Sequence, residues 1–486
     1  MEYTQTALVN AAISDPVNAP MTLEQIVSEE IREFKNSPQY VQLLQAEEYY
    51  RNRSDVQKKT TDMKNRSNTK IEHPIYRKLV DQKARYLLAR PWAVETDDKK
   101  YGAALEELFD ASFRRKIKSM GRGAVKSGVA WLQPYINDLG ALAFMRVPAH
   151  ELVPLWRDTE RTELDGFIRF YDQVIYVGRN RKTISRAEYW FSGGVRWFVC
   201  ADSSGEYRVD PERGNTDAAQ AEPHFTLGEK AYNWAHVPLL WLRYNEEELP
   251  LLHYVKELID DYNWQTSVTA DVLRDIAKFI YILKNYGGAD LDEFVRDLRQ
   301  AMAVKVDGDG GVDKLQADIN IAAVMTFLDK QRRDTFDFAS AVDTKDADLG
   351  NASGTAINFR YMDLDADCAD LADELQDTFA RMKPFLDTWL QAKGQGDFSA
   401  QTFSIAFNMD LPVNEADIIT NVNNSKDVLS RRTLLSNHPW VKNVDAEIEQ
   451  LDAEKEKAMR KYGDDLFEDE LGHNGEGVNR DDGGDE

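Results

Sequence analysis

The sequence predicts an α+β protein that is predominantly helical, and three observations carry that reading. Two long amphipathic segments flank a compact insert between residues 249 and 342. After Lys126 the hydrophobic pattern changes from a helical period to alternation, and strand-like runs follow as far as Cys200. From Ile357 to Trp389 apolar residues recur in steps of four and three, which is a heptad-like seam.

Residues 1–20 have no periodicity and read as a flexible arm. Thr22 can cap a helix to Phe34, with Gln25 completing a capping box. A second helix covers Ile75–Ala89 and is stopped by Pro91. A third covers Tyr101–Lys126, with Leu105, Leu108, Phe109, Ile117 and Met120 on one side. Val129–Ile136 and Ala141–Val147 then form a hairpin around Asn137-Asp138-Leu139-Gly140. Phe167–Val177, Thr183–Phe191 and Val195–Cys200 continue as strands, with turns at Gly178 and Gly193-Gly194. Residues 21–248 therefore read as an α+β domain with an antiparallel meander.

The next helix runs from about Leu249 to Ile280, roughly 45 Å at ~1.5 Å per residue. Val255, Leu258, Ile259, Tyr262, Val272, Leu273, Ile276 and Ile280 share one face. Lys256, Glu257, Asp260, Asp261, Asp271 and Asp275 occupy the other. In the insert, Phe279–Leu283 and Val304–Val306 read as strands. Gly287-Gly288 and Asp307–Gly311 read as turns, and Asp290 can cap a short helix to Met302. The returning helix starts near Asp318 or Asn320, with Val324, Phe327, Leu328, Phe336 and Ala339 as its apolar stripe.

An acidic loop follows, ending in Leu349-Gly350-Asn351-Ala352-Ser353-Gly354. Lys345 is its only cation. Gly350 and Gly354 give backbone freedom, and Ser353 can cap the helix after it. That helix has its seam at Ile357, Tyr361, Leu364, Cys368, Leu371, Leu375, Met382, Leu386 and Trp389, and Pro384 should kink it or end its regular part. Phe403–Asn408 reads as a strand, and Asp417–Leu429 and Asp445–Met459 as helices. From Tyr462 onward acidic residues and Gly leave too little apolar surface to fold.

At 486 residues and 42% hydrophobic content the chain can build two or three domains. Its net charge of −24 argues against binding nucleic acid along a basic surface. Cys200 and Cys368 read as reduced, buried residues of a cytosolic protein. There is no run long and apolar enough for a membrane span, and the N-terminus lacks a signal-peptide pattern. Gly121-Arg122-Gly123-Ala124-Val125-Lys126-Ser127 resembles a phosphate-binding loop, but Val125 stands where Gly must precede Lys, and the segment closes a helix. Asp307-Gly308-Asp309-Gly310-Gly311 lacks the later ligands of a calcium loop. His150-Glu151 has no second His at metal spacing, so no metal and no cofactor is expected. The pairs Arg114-Arg115, Arg332-Arg333 and Arg431-Arg432 read as solvated helix faces or subunit contacts.

Ile259-Asp260-Asp261-Tyr262-Asn263, Tyr286-Gly287-Gly288-Ala289-Asp290 and Leu349–Ala356 resemble the core of the portal proteins of tailed double-stranded-DNA bacteriophages, of the siphophage type. Glu48-Tyr49-Tyr50, Leu79-Val80-Asp81-Gln82-Lys83 and Tyr86–Pro91 resemble the N-terminal pattern of that family. Asn414-Glu415-Ala416 and His438-Pro439-Trp440-Val441 resemble the C-terminal one. The resemblance spans about residues 40–455 in the right order. Arg90 stands where the family usually has Gly.

The resemblance implies a wing (21–248), stem helices (249–278 and 318–342) and a clip (279–317). It further implies a tunnel loop (343–354), a long helix returning to the wing (355–400), a crown (401–461) and an acidic tail (462–486). It implies a dodecameric homo-oligomeric ring at one capsid vertex, a non-enzymatic channel for DNA packaging and ejection. Thr344, Lys345, Asp346, Asp348, Asn351 and Ser353 would face the DNA. Tyr286, Asp290, Arg296, Arg299, Lys305 and Asp309 of the clip would meet the terminase large subunit and then the head–tail adaptor. Major capsid and scaffolding proteins are further implied partners, with no membrane involved. Assembly in the host cytoplasm and residence in the virion follow from the same likeness. An acidic channel wall suits this role, because each phosphate contact adds affinity and hinders sliding. Two other readings are a nucleic-acid-processing enzyme subunit, which needs clustered carboxylates, and a non-viral coiled-coil scaffold, which leaves the β-rich region unexplained.

Overall fold

Thr22 starts the first helix as its residues dictate. Its hydroxyl accepts from the Gln25 backbone, and the Gln25 side chain accepts from the Thr22 N–H at 2.9 Å. The computed structural model of the chain describes residues 21–60, 67–200, 204–213, 221–227, 230–275, 280–284, 311–315, 320–345, 354–409, 415–436, 438, 440–441, 444 and 447–457. The expected arm at 1–20, most of the insert, the loop from Asp346 to Ser353 and the tail lie outside these residues.

Helix α1 (Leu23–Asn36) is followed at once by α2 (Pro38–Tyr50). Ser37 separates them, its hydroxyl accepting from Tyr40 N at 3.1 Å with Pro38 at the first helical position. The sequence pattern does not announce α2, because it buries only Leu43, Ala46 and Tyr49 while Val41 and Leu44 stay exposed. Helix α3 spans Ile75–Leu88, close to expectation. The single helix expected over Tyr101–Lys126 is two, α4 (Lys99–Leu108) and α5 (Ala111–Ser127). Asp110 breaks it by adopting extended backbone and accepting from Phe113 N at 2.7 Å, the usual work of a capping aspartate. The Gly121–Ser127 segment closes α5, as its residues suggest.

Two sheets follow. In the first, β2 (Val129–Ile136) lies between β3 (Leu142–Val147) and β11 (Leu240–Arg243). The second is an antiparallel meander of β4 (Leu152–Trp156), β5 (Leu164–Val177), β6 (Asn180–Phe191), β7 (Gly194–Cys200) and β8 (Arg208–Val209). β9 (Phe225–Leu227) pairs with β10 (Lys230–Tyr232), and the short β1 (Ala93–Glu95) pairs with the distant β14 (Ser404–Ala406). Cys200 and Cys368 are both buried and outside any disulfide, and burial pushes the Cys368 thiol up to about 12.

Helices α6 (Leu252–Asp275) and α7 (Ile321–Phe338) pack as an antiparallel pair, and between them in sequence β12 (Ile280–Lys284) pairs antiparallel with β13 (Gly311–Leu315). Leu251, Leu252, Val255 and Ile259 at the start of α6 share one core with Phe336 and Ala339 at the end of α7. The same core takes in α3, α5, β2 and helix α8 (Gly354–Ala392). Further out, the buried row of α6 turns polar at Asn263, Ser267 and Asp271. This corrects the expected assignment of faces: Asp271 is buried, whereas Leu273 is 49% exposed. The reason is a chain segment laid along the helix. Asn263 accepts from His73 N at 3.1 Å, Ser267 from Ile71 N at 2.9 Å and Asp271 from Thr69 N at 2.6 Å. Lys59 also pairs with Asp271 at 2.5 Å. In α7, Leu328, Phe336 and Ala339 are buried as expected, but Phe327 is 47% exposed.

The entry into α6 rests on close backbone contact. Gly128 has φ +80°, and a Cβ there would lie 1.9 Å from the Glu248 carbonyl oxygen. No other residue fits. Glu248 itself is 5% exposed, its carboxylate held by Arg161 at 3.1 Å and Arg243 at 3.2 Å.

Helix α8 buries Leu364, Cys368, Leu371, Leu375, Met382, Leu386 and Trp389 of the expected seam. Pro384 does not end it: the helix runs on to Ala392. The described residues fall into two units, one within Met1–Thr344 and Met362–Met409, the other within Lys345–Tyr361 and Asp410–Glu486. In the second, α9 (Glu415–Asn424) stops short of the expected Leu429, and α10 (Arg431–Ser436) follows after Ser430, whose hydroxyl accepts from Thr433 N. Residues 447–457 are helical. Arg431 pairs with Asp452 at 2.5 Å.

His224 gives the meander region a pH dependence. Its Nδ1 accepts from Trp234 N at 3.0 Å and its Nε2–H meets the Phe191 carbonyl at 2.8 Å, so the neutral ring is fully used. Burial holds its pKa below the usual histidine value, against the pull of the Phe191 and Gly194 backbone. The unfolded chain therefore binds the proton more readily. The stability this ring contributes is present above its unfolded pKa of about 6.5 and is lost as pH falls. His224→Gln should melt at a temperature less dependent on pH between about pH 7 and about pH 5 than the parent protein, as read by scanning fluorimetry.

Candidate functional site

The site built from described residues is the clamp on the two ends of the acidic loop. The chain leaves α7 through Ser340, a non-glycine residue with φ 47°. Ala341 N reaches back to Phe336 O at 2.9 Å and closes the helix end. Left-handed backbone at a serine stores strain, so the surroundings must hold it.

One helix supplies the hold. Lys78, Gln82 and Tyr86 recur every four residues on α3, with Lys83 beside Gln82. The Lys83 ammonium is 0% exposed and donates to the Ser340 carbonyl at 3.0 Å and to Asp367 of α8 at 2.7 Å. Gln82 donates to Val342 O at 2.8 Å and accepts from Val342 N at 3.2 Å. Lys78 reaches Asp343 at 3.3 Å. Arg332 of α7 holds the same carboxylate, its Nη2 at 2.9 Å from Oδ1, and the Asp343 partner keeps the guanidinium pKa above its usual value. On the far side of the loop, Tyr86 donates to Asp365 at 2.8 Å, and Tyr244 donates to the second oxygen of Asp367 at 2.8 Å. Residues on both sides of the loop are thus bound to α3, from Lys78 to Tyr86.

Of the residues expected to face DNA, Thr344 and Lys345 are described and exposed. Asp346, Asp348, Asn351 and Ser353 lie outside the described residues. So do Tyr286, Asp290, Arg296, Arg299, Lys305 and Asp309 of the insert. Arg332 departs from its expected solvated face, because Asp343 turns back onto α7. The sequence reading misses Lys78, Gln82, Lys83, Tyr86, Asp365 and Asp367 as a group. One signal was available: Leu79, Lys83 and Leu87 form a helical row in which the lysine is as buried as the leucines. A lysine in an apolar row needs a partner.

Lys83→Met keeps the chain length and removes the charge, and should cost about 3 kcal/mol by leaving Asp367 and the Ser340 carbonyl short of a donor. Gln82→Ala should cost about 1 kcal/mol. Denaturant unfolding checks both magnitudes. Amide exchange at residues 340–345 should quicken in the lysine variant.

The family model described as "Phage portal protein, SPP1 Gp6-like" matches residues 34–461. The portal protein of Bacillus phage SPP1 is 26% identical over 444 residues, covering 88% of this chain and 86% of that protein. The portal protein of Clostridium phage phiCD119 is 26% identical over 445 residues, covering 86% of this chain and 93% of that protein. With a match that covers residues 34–461, most of its length, this chain belongs to the SPP1 Gp6-like family of phage portal proteins.

Proposed function

We propose that this chain forms a closed homo-oligomeric ring, of twelve copies in the virion, around a channel for double-stranded DNA at one capsid vertex. Phage portal proteins are virion components at the capsid, structural rather than catalytic. The observation that carries the finer reading is the pair α6 and α7. They leave the core together, and Tyr254, Trp264, Leu273, Ile321, Met325, Phe327 and Phe338 on them are between 44% and 66% exposed. So many large apolar groups on two otherwise polar rods call for a cover, and neighbouring copies side by side supply it. Head-to-tail contacts of this kind close into rings.

In this reading α6 and α7 are the stem and residues 279–317 the clip that docks the terminase large subunit and then the head–tail adaptor. Residues 343–354 are the tunnel loop along the passing duplex, and α8 is the long helix back to the wing. Residues 401–461 form the crown. Capsid and scaffolding proteins meet the ring during assembly in the host cytoplasm. The clamp on both loop flanks suits a loop that must bend against moving DNA without pulling the stem apart.

Negative-stain microscopy of the purified full chain should show rings with a central hole. Monomers in every buffer would overturn the proposal. Deleting Asp346–Leu349 should spare the ring, since the clamp lies outside the deletion, and impair packaging or genome retention. Loss of the ring in native mass spectrometry would make the loop an assembly element instead. The ring should bind duplex DNA weakly and without sequence preference, given the net charge of −24. Nanomolar affinity at physiological salt would contradict the acidic channel, and metal-dependent nicking of plasmid DNA would favour the enzyme reading.

A further inference from the structure

Strands β5 and β6 outrun their sheet. β4 pairs with β5 only as far as Arg169, and β7 pairs with β6 only from Ser185 onward. Residues 173–184 therefore form a two-stranded ribbon that, among the described residues, pairs only with itself and has both outer edges open. Gly178, at φ 63°, turns the ribbon in two residues. Val174, Tyr176 and Val177 on it are 42%, 72% and 60% exposed. Arg179, Arg181 and Lys182 crowd its tip, and none has a carboxylate partner among the described residues. A free-edged ribbon with exposed apolar groups is a liability that folded proteins blunt or use. Three such cations, without a carboxylate partner among the described residues of a chain of net charge −24, say what the counterpart must offer.

The chain carries that counterpart itself. On α8, Asp363, Asp370 and Asp373 lie on one exposed helix face at spacings of seven and three, and none has a cationic partner among the described residues. Met362 beside them is 58% exposed. Ribbon and helix face thus match in both charge and apolar content. We infer that the 173–184 ribbon of one copy docks on the Met362–Asp373 face of α8 in the adjacent copy. DNA fits the ribbon less well: three cations would neutralise only about three phosphates, set against the repulsion of the acidic chain.

The inference rests on the ring proposed above, and charge reversal tests it separately. The ribbon variant is Arg179→Glu/Arg181→Glu/Lys182→Glu, and the helix variant is Asp363→Lys/Asp370→Lys/Asp373→Lys. Each alone should raise the concentration at which half of the full-length chain is in rings by roughly tenfold or more, read by sedimentation velocity. Mixed in equal amounts, the two variants can alternate so that every ribbon meets a helix face of opposite sign. The mixture should recover assembly, and native mass spectrometry should show rings of even number. A ribbon variant that assembles like the parent chain, or a mixture no better than its components, overturns the inference. Should either variant precipitate, the pair Arg181→Cys/Asp370→Cys in the parent background decides: a short bismaleimide should give a ladder of linked copies, and its absence overturns the docking. A parent chain that forms no rings would instead defeat the ring reading itself.

Discussion

The ammonium of Lys83 lies 2.7 Å from Asp367 and 3.0 Å from the Ser340 carbonyl, out of reach of water. Much of the loop's anchorage depends on this arrangement. An unpaired charge in that position would be untenable, so α3, the end of α7 and the start of α8 must meet there for the chain to fold. The neighbouring hydrogen bonds from Gln82, Tyr86 and Tyr244 then fall on groups already brought close. The strain of the left-handed Ser340 is carried by the same bonds. Structure and proposed function join here, because the segment so held leads into the loop proposed above to run beside DNA.

Burial is unevenly shared along the two rods. Their inner ends belong to the main core, with Val255, Ile259 and Phe336 all buried. Their outer parts have little apolar cover, and α6 there relies on Asn263, Ser267 and Asp271 bonding a neighbouring segment. A chain that leaves Trp264 and Met325 about half exposed has an unfinished surface. In the ring proposed above, neighbouring copies would complete it.

Strong periodicity made much of this architecture legible. The capping box at Thr22, the hairpin of β2 and β3 and the seam of α8 are where the residues put them. Three kinds of feature were not legible. Asp110 divides a helix whose apolar pattern continues across the break. The polar row on α6 is buried only because a segment some 190 to 200 residues away in sequence lies on it. Pro384 is tolerated in α8, whose sides are packed by Trp234 and other core residues on both flanks of the proline. The clamp shared this difficulty. Its members sit on α3, α7, α8 and the segment after β11, and only the fold brings Lys83 to Asp367.

The pegs along α6 have a mechanical meaning. Asn263, Ser267 and Asp271 engage backbone donors at His73, Ile71 and Thr69 in turn, like teeth on a rack. Rotating the helix about its own axis, or sliding it by one residue, would break all three at once. The rod therefore resists torsion along this length.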